Sequence, residues 1–210
     1  MARLIDVGLE RLSDILMEMA LLSEKSVSAS IESYTSGKDQ TAEIRAWSEE
    51  IRQLQDDVSE LAIDIIARYQ PVATDLRFVK AALEIAYGFS RFGRYAYDIA
   101  DVLELGDLAG CDKSPVEITS KTTKEMIRMS VDAFANRDVE LAKNVQKLDD
   151  FVDDKFRESL DRAIHAKYQD ARCAVSEALI LRYLERISDH SSYIGDSVIY
   201  IVTGERTPRK

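Results

Sequence analysis

Tyr69-Gln70-Pro71-Val72-Ala73-Thr74-Asp75-Leu76-Arg77 decides how this chain folds. Proline lacks a backbone N–H and its ring clashes with a preceding helical turn, so a helix arriving from upstream ends at Pro71. Thr74 or Asp75 is placed to cap a second helix that leaves. Upstream, Ile44, Trp47, Ile51, Leu54, Val58, Leu61 and Ile65 recur at steps of three and four, the seam of an antiparallel bundle. Downstream, Leu76, Val79, Leu83, Ala86, Ser90, Gly93, Tyr97 and Ala100 do the same. The two helices should therefore fold back on each other.

Working outward, Leu9, Leu12, Leu16 and Met19 predict a first helix over about Leu4 to Tyr34, ended by Gly37, with Asp39 capping the second. The third should run from Thr74 to Leu105, roughly 48 Å at the helical rise per residue. Gly106 to Ser114 reads as a linker, and Pro115 suits the first turn of a fourth helix that reaches about Asn136. From there the plan repeats. Arg137-Asp138 matches Lys38-Asp39, Asp75 matches Asp170, and Arg77 matches Arg172, the last two pairs at a separation of 95. A fifth helix is expected over Val139 to Lys167 and a sixth over Ala171 to Val202, stopped by Gly204. The fifth helix's seam, Leu141, Val145, Leu148, Val152, Phe156, Leu160, takes two consecutive steps of four after Val152. That implies one extra residue relative to the second helix, absorbed either as a π-bulge between about Leu148 and Phe156 or as a drifting seam.

The fold class is all-α. Two tandem three-helix bundles are expected, residues 1–106 and 115–210 joined by a linker at 107–114; one elongated six-helix bundle is the alternative. A second apolar stripe on the third helix (Phe78, Ile85, Phe92, Ile99) recurs on the sixth (Cys173, Ile180, Ile187, Ile194, Ile201) and offers a surface for joining the halves.

The net charge of −10 argues against nucleic acid as a general partner, because phosphate backbones call for clustered Lys and Arg. It suits a partner with a basic face, or a metal ion. No window approaches 18 uninterrupted apolar residues, so no membrane span or signal core is expected. Cys111 and Cys173 sit in no C-x-x-C arrangement and read as free thiols in a reducing cytoplasm.

The chemistry lies in the second half. Glu185 occupies the seam of the sixth helix among Ala, Ser and Gly, where a lone carboxylate is costly to bury. Asp189 follows one turn later, and Asp196 points in nearly the same direction. The facing helix offers Asp149 and Asp153, also four apart. Four carboxylates from two packed helices suit a hard or intermediate cation. The plainer reading pairs them with Arg182, Arg186 and Lys155. In the first half Ser90 and Arg94 stand for Glu185 and Asp189, and Ser48 and Arg52 for Asp149 and Asp153. All four acids are gone, and Asp98 is placed to pair with Arg94. His190 points away from Asp189 and reads as exposed or hydrogen-bonded, Trp47 as core. No phosphate-binding glycine loop or nucleophile–base pairing is present.

Gln70-Pro71-Val72-Ala73-Thr74-Asp75-Leu76-Arg77, the duplicated three-helix unit, Asp149 to Asp153, Glu185-Arg186-Ile187-Ser188-Asp189 and the ending Ile199-Tyr200-Ile201-Val202-Thr203-Gly204-Glu205 resemble the PhoU family of phosphate-uptake regulators. The resemblance covers essentially the whole chain. It implies a cytoplasmic, often dimeric, non-enzymatic adaptor beside a phosphate ABC transporter, meeting the membrane only through that transporter's nucleotide-binding subunit. It also implies damped phosphate uptake, signalling through a sensor histidine kinase, and iron, zinc or divalent ions at E/D-x-x-x-D clusters. Ser90 and Arg94 depart from that motif, so the metal expectation carries over only onto Glu185, Asp189, Asp149 and Asp153. A carboxylate-bridged metalloenzyme is the alternative, but such sites use Glu-x-x-His ligands, and neither histidine supplies one.

Overall fold

The computed structural model describes residues 3–165 and 170–206, without the Leu105 side chain. Six long helices follow one another: α1 (Leu4–Ser36), α2 (Thr41–Tyr69), α3 (Ala73–Asp101), α4 (Ser114–Asn136), α5 (Val139–His165) and α6 (Ala171–Thr203). A 3₁₀ turn, Val102–Leu105, extends α3. No strand occurs among the described residues, and the end expected for α5 beyond His165 lies outside them. None of the described helices is long and apolar enough to cross a membrane.

The turns follow local chemistry. Gly37 and Gly204 close α1 and α6 in the left-handed conformation, φ 77° and 79°, where glycine carries no Cβ penalty. Asp39 accepts from the Thr41 N–H at 3.0 Å, and Asp138 from the Leu141 N–H at 3.0 Å, at the starts of α2 and α5. The α2–α3 elbow differs from expectation. Around Pro71, Gln70 and Ala73 both adopt positive φ, 46° and 47°, so α3 starts at Ala73. Thr74 and Asp75 then lie inside the first turn and cap nothing. Asp75 instead takes the Arg3 guanidinium at 2.7 Å, and Thr74 Oγ1 accepts from Arg77 at 3.1 Å. Its counterpart Asp170 does cap, accepting from the Arg172 N–H at 2.8 Å.

Each repeat is a three-helix bundle, and the two are joined along α3 and α6, which run antiparallel. Arg77 Nε approaches the Ile201 carbonyl at 3.5 Å, a Cβ on Gly88 would stand 3.1 Å from Ile194, and Tyr95 stacks on Tyr183. The second stripes are buried here, Phe78, Ile85, Phe92 and Ile99 with Ile180, Ile187, Ile194 and Ile201. Each fully buried side chain of this size contributes about 1.5–3 kcal/mol. α1 meets α4 on one side of this pair, where Arg128 reaches Glu24; α2 and α5 flank it.

Two expectations are corrected. α5 is an uninterrupted α-helix, so no π-bulge forms. Ser159 is buried and Leu160 is 39% exposed, so the seam continues through the serine. Ile44, Ile51 and Val58 of α2 and Val145, Val152 and Ser159 of α5 are all buried at one constant separation of 101, with no extra residue. The Ser159 hydroxyl donates to the Phe156 carbonyl at 2.7 Å, which lets a polar residue occupy an apolar position. The cysteines are not free. Cys111 in the linker and Cys173 in the first turn of α6 form a disulfide with Cα atoms 5.3 Å apart. Their sequence separation of 62 gives no hint of pairing, because only the folded linker brings Cys111 to the helix start.

Candidate metal centre

α5 and α6 cross closely because α6 presents small residues. A Cβ on Gly195 would lie 3.0 Å from the Ala142 carbonyl oxygen, so only glycine allows this approach. One side of the crossing is tied by Gln146, which donates to Asp196. Two turns away Ser188 donates to Asp149 Oδ1 at 2.7 Å, with the Met126 sulfur of α4 3.0 Å from the same hydroxyl. Asp149 is thereby held toward α6.

Asp149, Asp153 and Asp189 converge: one carboxylate oxygen from each lies within 4.8 Å of the others. Glu185 does not join that set. It is held by Arg182 at 2.6 Å and approached by Arg186 at 3.7 Å. Asp189 meets Arg186 at 3.5 Å and Asp153 meets Arg157 at 3.2 Å, whereas Lys155 pairs with Glu158. The arginine-pairing reading therefore describes Glu185 well and the three aspartates loosely.

The electrostatics are those of a crowded anionic site. Burial, then the neighbouring Asp189, raises the Glu185 carboxyl above the ordinary carboxylate range. Burial, then Asp149, does the same for Asp189. Asp153 Oδ1 and Glu185 Oε2 are buried without a hydrogen bond. Buried oxygens left in this condition are costly unless something electropositive meets them. An all-oxygen donor set that includes one such atom, Asp153 Oδ1, fits a hard cation better than a tetrahedral zinc, which favours Cys and His.

Among the described residues the first repeat has no comparable cluster. Arg94 pairs with Asp98 at 2.8 Å, as its spacing predicts. Arg52 faces away, held on the surface by Glu49 at 2.7 Å and Asp56 at 3.0 Å. Gly93 stands where α6 has Ser188, and a Cβ there would meet Ile51 Cδ1 at 2.9 Å and Ser48 Cα at 3.4 Å. The helices are too close at this crossing for a donor side chain.

Several groups escaped sequence reasoning. Ser188 and Gln146 position the acids, yet a serine and a glutamine near a seam carry no signal of their own. Glu177, buried, is met by Arg162 across α5 and α6. His190 is half-buried among the rings of Tyr87, Tyr95 and Tyr193, with centroids 5.5 to 6.0 Å away. Burial, then Arg91 and Arg186, pushes it down to about 4, so it is neutral near pH 7 and stands apart from the acids. His165 is exposed beside Asp161. Trp47 is only partly buried, with Lys25 Nζ 4.2 Å over its ring.

Comparison with known proteins identifies the family of the fold. The PhoU domain model matches twice, over residues 16–103 and 116–198. The phosphate-specific transport system accessory protein PhoU homolog of Pseudomonas putida is 30% identical over 204 residues, 93% of this chain and 79% of that protein. The crystal structure of PhoU from Pseudomonas aeruginosa superposes with a TM-score of 0.89 at 27% identity, covering 95% of this chain and 99% of that one. The phosphate transport system regulatory protein PhoU from Streptococcus pneumoniae shares the fold at 19% identity, TM-score 0.88, covering 98% of this chain and all of that one. Two matched repeats and a duplicated bundle agree: this chain belongs to the PhoU domain family.

Proposed function

We propose that this chain is a non-enzymatic regulatory adaptor that restrains phosphate uptake by an ABC transporter. The observation that carries the reading is the match along 93% of the chain to a relative named as a phosphate-specific transport accessory protein. The two units, residues 1–106 and 115–210 with the 107–114 linker, act together in the cytoplasm as a homodimer. They dock on the transporter's nucleotide-binding subunit and reach the membrane only through it, and a sensor histidine kinase is a second partner. Asp149, Asp153 and Asp189 hold a cation, with Glu185 released from Arg182 to complete its shell. All-oxygen donors favour ferric iron or manganese over zinc. The cation neutralises the cluster and locks α5 to α6, fixing the face presented to partners.

Deleting the gene and following phosphate accumulation tests the reading. Accumulation should rise, and the tagged protein should co-purify the nucleotide-binding subunit. Unchanged accumulation together with no transporter component recovered contradicts it.

A further inference from the structure

The linker has few ties to the rest of the molecule. Among the described residues its hydrogen bonds are local in sequence: Gly106 N–H to the Leu103 carbonyl, Cys111 N–H to the Leu108 carbonyl, Ala109 N–H to Asp107, Ser114 N–H to Asp112, and Glu117 N–H to the Lys113 carbonyl. Leu108 is buried, Lys113 Nζ lies 3.8 Å over the Tyr34 ring, and Arg172 lies beside Gly106. Asp107 lies in the field of Arg172 and Asp112 in that of Arg162, and one further tie is covalent, Cys111 to Cys173. On its other side the linker walls a cleft of about 1090 Å³, with Leu108 and Lys113 facing Tyr34, Arg45 and Tyr97 at the end of the first repeat.

We infer that the Cys111–Cys173 disulfide is a reversible latch, opened by a dithiol reductant, that fixes the linker as the wall of this cleft. The inference rests on the cytoplasmic location proposed above, because disulfides in that compartment are usually transient or redox-sensing. The sequence duplication supports a role particular to this site. Cys173 occupies the position of Phe78, a core residue of the first repeat, so the second repeat exchanges an apolar contact for a bond to the linker.

Cys111 is buried and Cys173 half-buried, so the reductant reaches Cys173 first. Its thiolate bonds to the Cys173 sulfur, the Cys111–Cys173 bond breaks, and Cys111 leaves as a thiolate that takes up a proton. The reductant's second thiol then attacks the mixed disulfide and releases Cys173 as a thiol. Two electrons pass to the protein, and the dithiol becomes a disulfide. With the latch open, the described contacts that hold the linker are non-covalent, Leu108, Lys113 and the Arg172 and Arg162 guanidinium groups near Asp107 and Asp112, and the cleft can widen. With α3, α6 and the acids undisturbed, the thiols remain close enough to re-form the bond when an oxidant returns.

The test uses the full chain, oxidised and then exposed to dithiothreitol without denaturant, followed by thiol alkylation, mass spectrometry and hydrogen exchange. Both thiols should alkylate with the helical circular dichroism retained, and exchange over residues 106–113 should rise by about tenfold or more. Cys111→Ser and Cys173→Ser should each show the raised exchange without reductant. A disulfide that resists dithiothreitol until the helices melt overturns the latch, as does unchanged linker exchange after reduction. Thiol trapping in intact cells, with fractionation, separates the two readings. Protein found in the cytoplasm but locked in the oxidised form refutes the latch alone. Protein found outside the cytoplasm refutes the location, and the regulatory role with it.

Discussion

The α2–α3 crossing and the α5–α6 crossing occupy the same place in two copies of one bundle, and their contents are opposite. At the first, Gly93 brings α3 so near Ile51 and Ser48 that no donor side chain fits between them. At the second, Ser188 replaces the glycine and holds Asp149 in a cluster with Asp153 and Asp189. Arg94 and Arg52 do not fill an equivalent hole in the first repeat. They lie outside, paired with Asp98 and with Glu49 and Asp56. Duplication thus supplied two scaffolds, one packed shut and one holding half-buried carboxylates, with one oxygen of Asp153 lacking a hydrogen bond.

The largest expected difference between the copies is covalent. Only the second repeat carries a disulfide to the linker, and closing a loop of 62 residues stabilises by about 4 kcal/mol through the unfolded state. Reduction should lower the melting temperature by roughly 10 °C, measured by calorimetry with and without dithiothreitol. A shift near zero would mean that the linker and α6 hold together without the bond.

Next in size is cation binding. Asp149→Ala/Asp189→Ala should weaken manganese or ferric binding more than about 100-fold, while Arg94→Ala leaves it unchanged. Elemental analysis and titration calorimetry check both; equal loss in the two variants would erase the distinction between repeats. Ser188→Ala, which only frees Asp149 to turn, should weaken binding about tenfold.

The six helices, the duplicated plan and the paired stripes were readable in the sequence because apolar residues at steps of three and four mark buried faces directly. Glu185 was readable as an acid in a seam of small residues, with Asp189 one turn later. The direction of Glu185 was not, since its pairing with Arg182 depends on rotamers that spacing does not set. Ser159 hid the α5 seam by satisfying its hydroxyl within its own helix. The disulfide was hidden because its two ends meet only through the path of the linker.

Packing at the closed crossing gives a smaller effect. Gly93→Ser should destabilise by about 1–3 kcal/mol, because the new side chain meets Ile51 and the α2 backbone. Ser188→Gly should be milder, since α5 is not as near. Chemical denaturation of both variants compares them directly; a tolerated Gly93→Ser would show that the first crossing can open.

The smallest effect is in pH. Glu185 and Asp189 have carboxyls raised by burial, so the fold favours their protonated forms. Their contribution to stability is present at low pH and lost as pH rises through the raised values toward neutrality. The ion-free protein should therefore lose stability over that rise relative to Glu185→Gln/Asp189→Asn, and a bound cation should cancel the difference. Thermal melts of both proteins across that range, with and without manganese, read it out; parallel curves contradict it.

Anomalous scattering from crystals of the full chain grown with manganese tests the asymmetry of the two repeats most directly. The account predicts density among Asp149, Asp153 and Asp189, drawing Glu185 from Arg182, and none between α2 and α3. A peak beside Arg94, or no peak between α5 and α6 at saturating manganese, contradicts it.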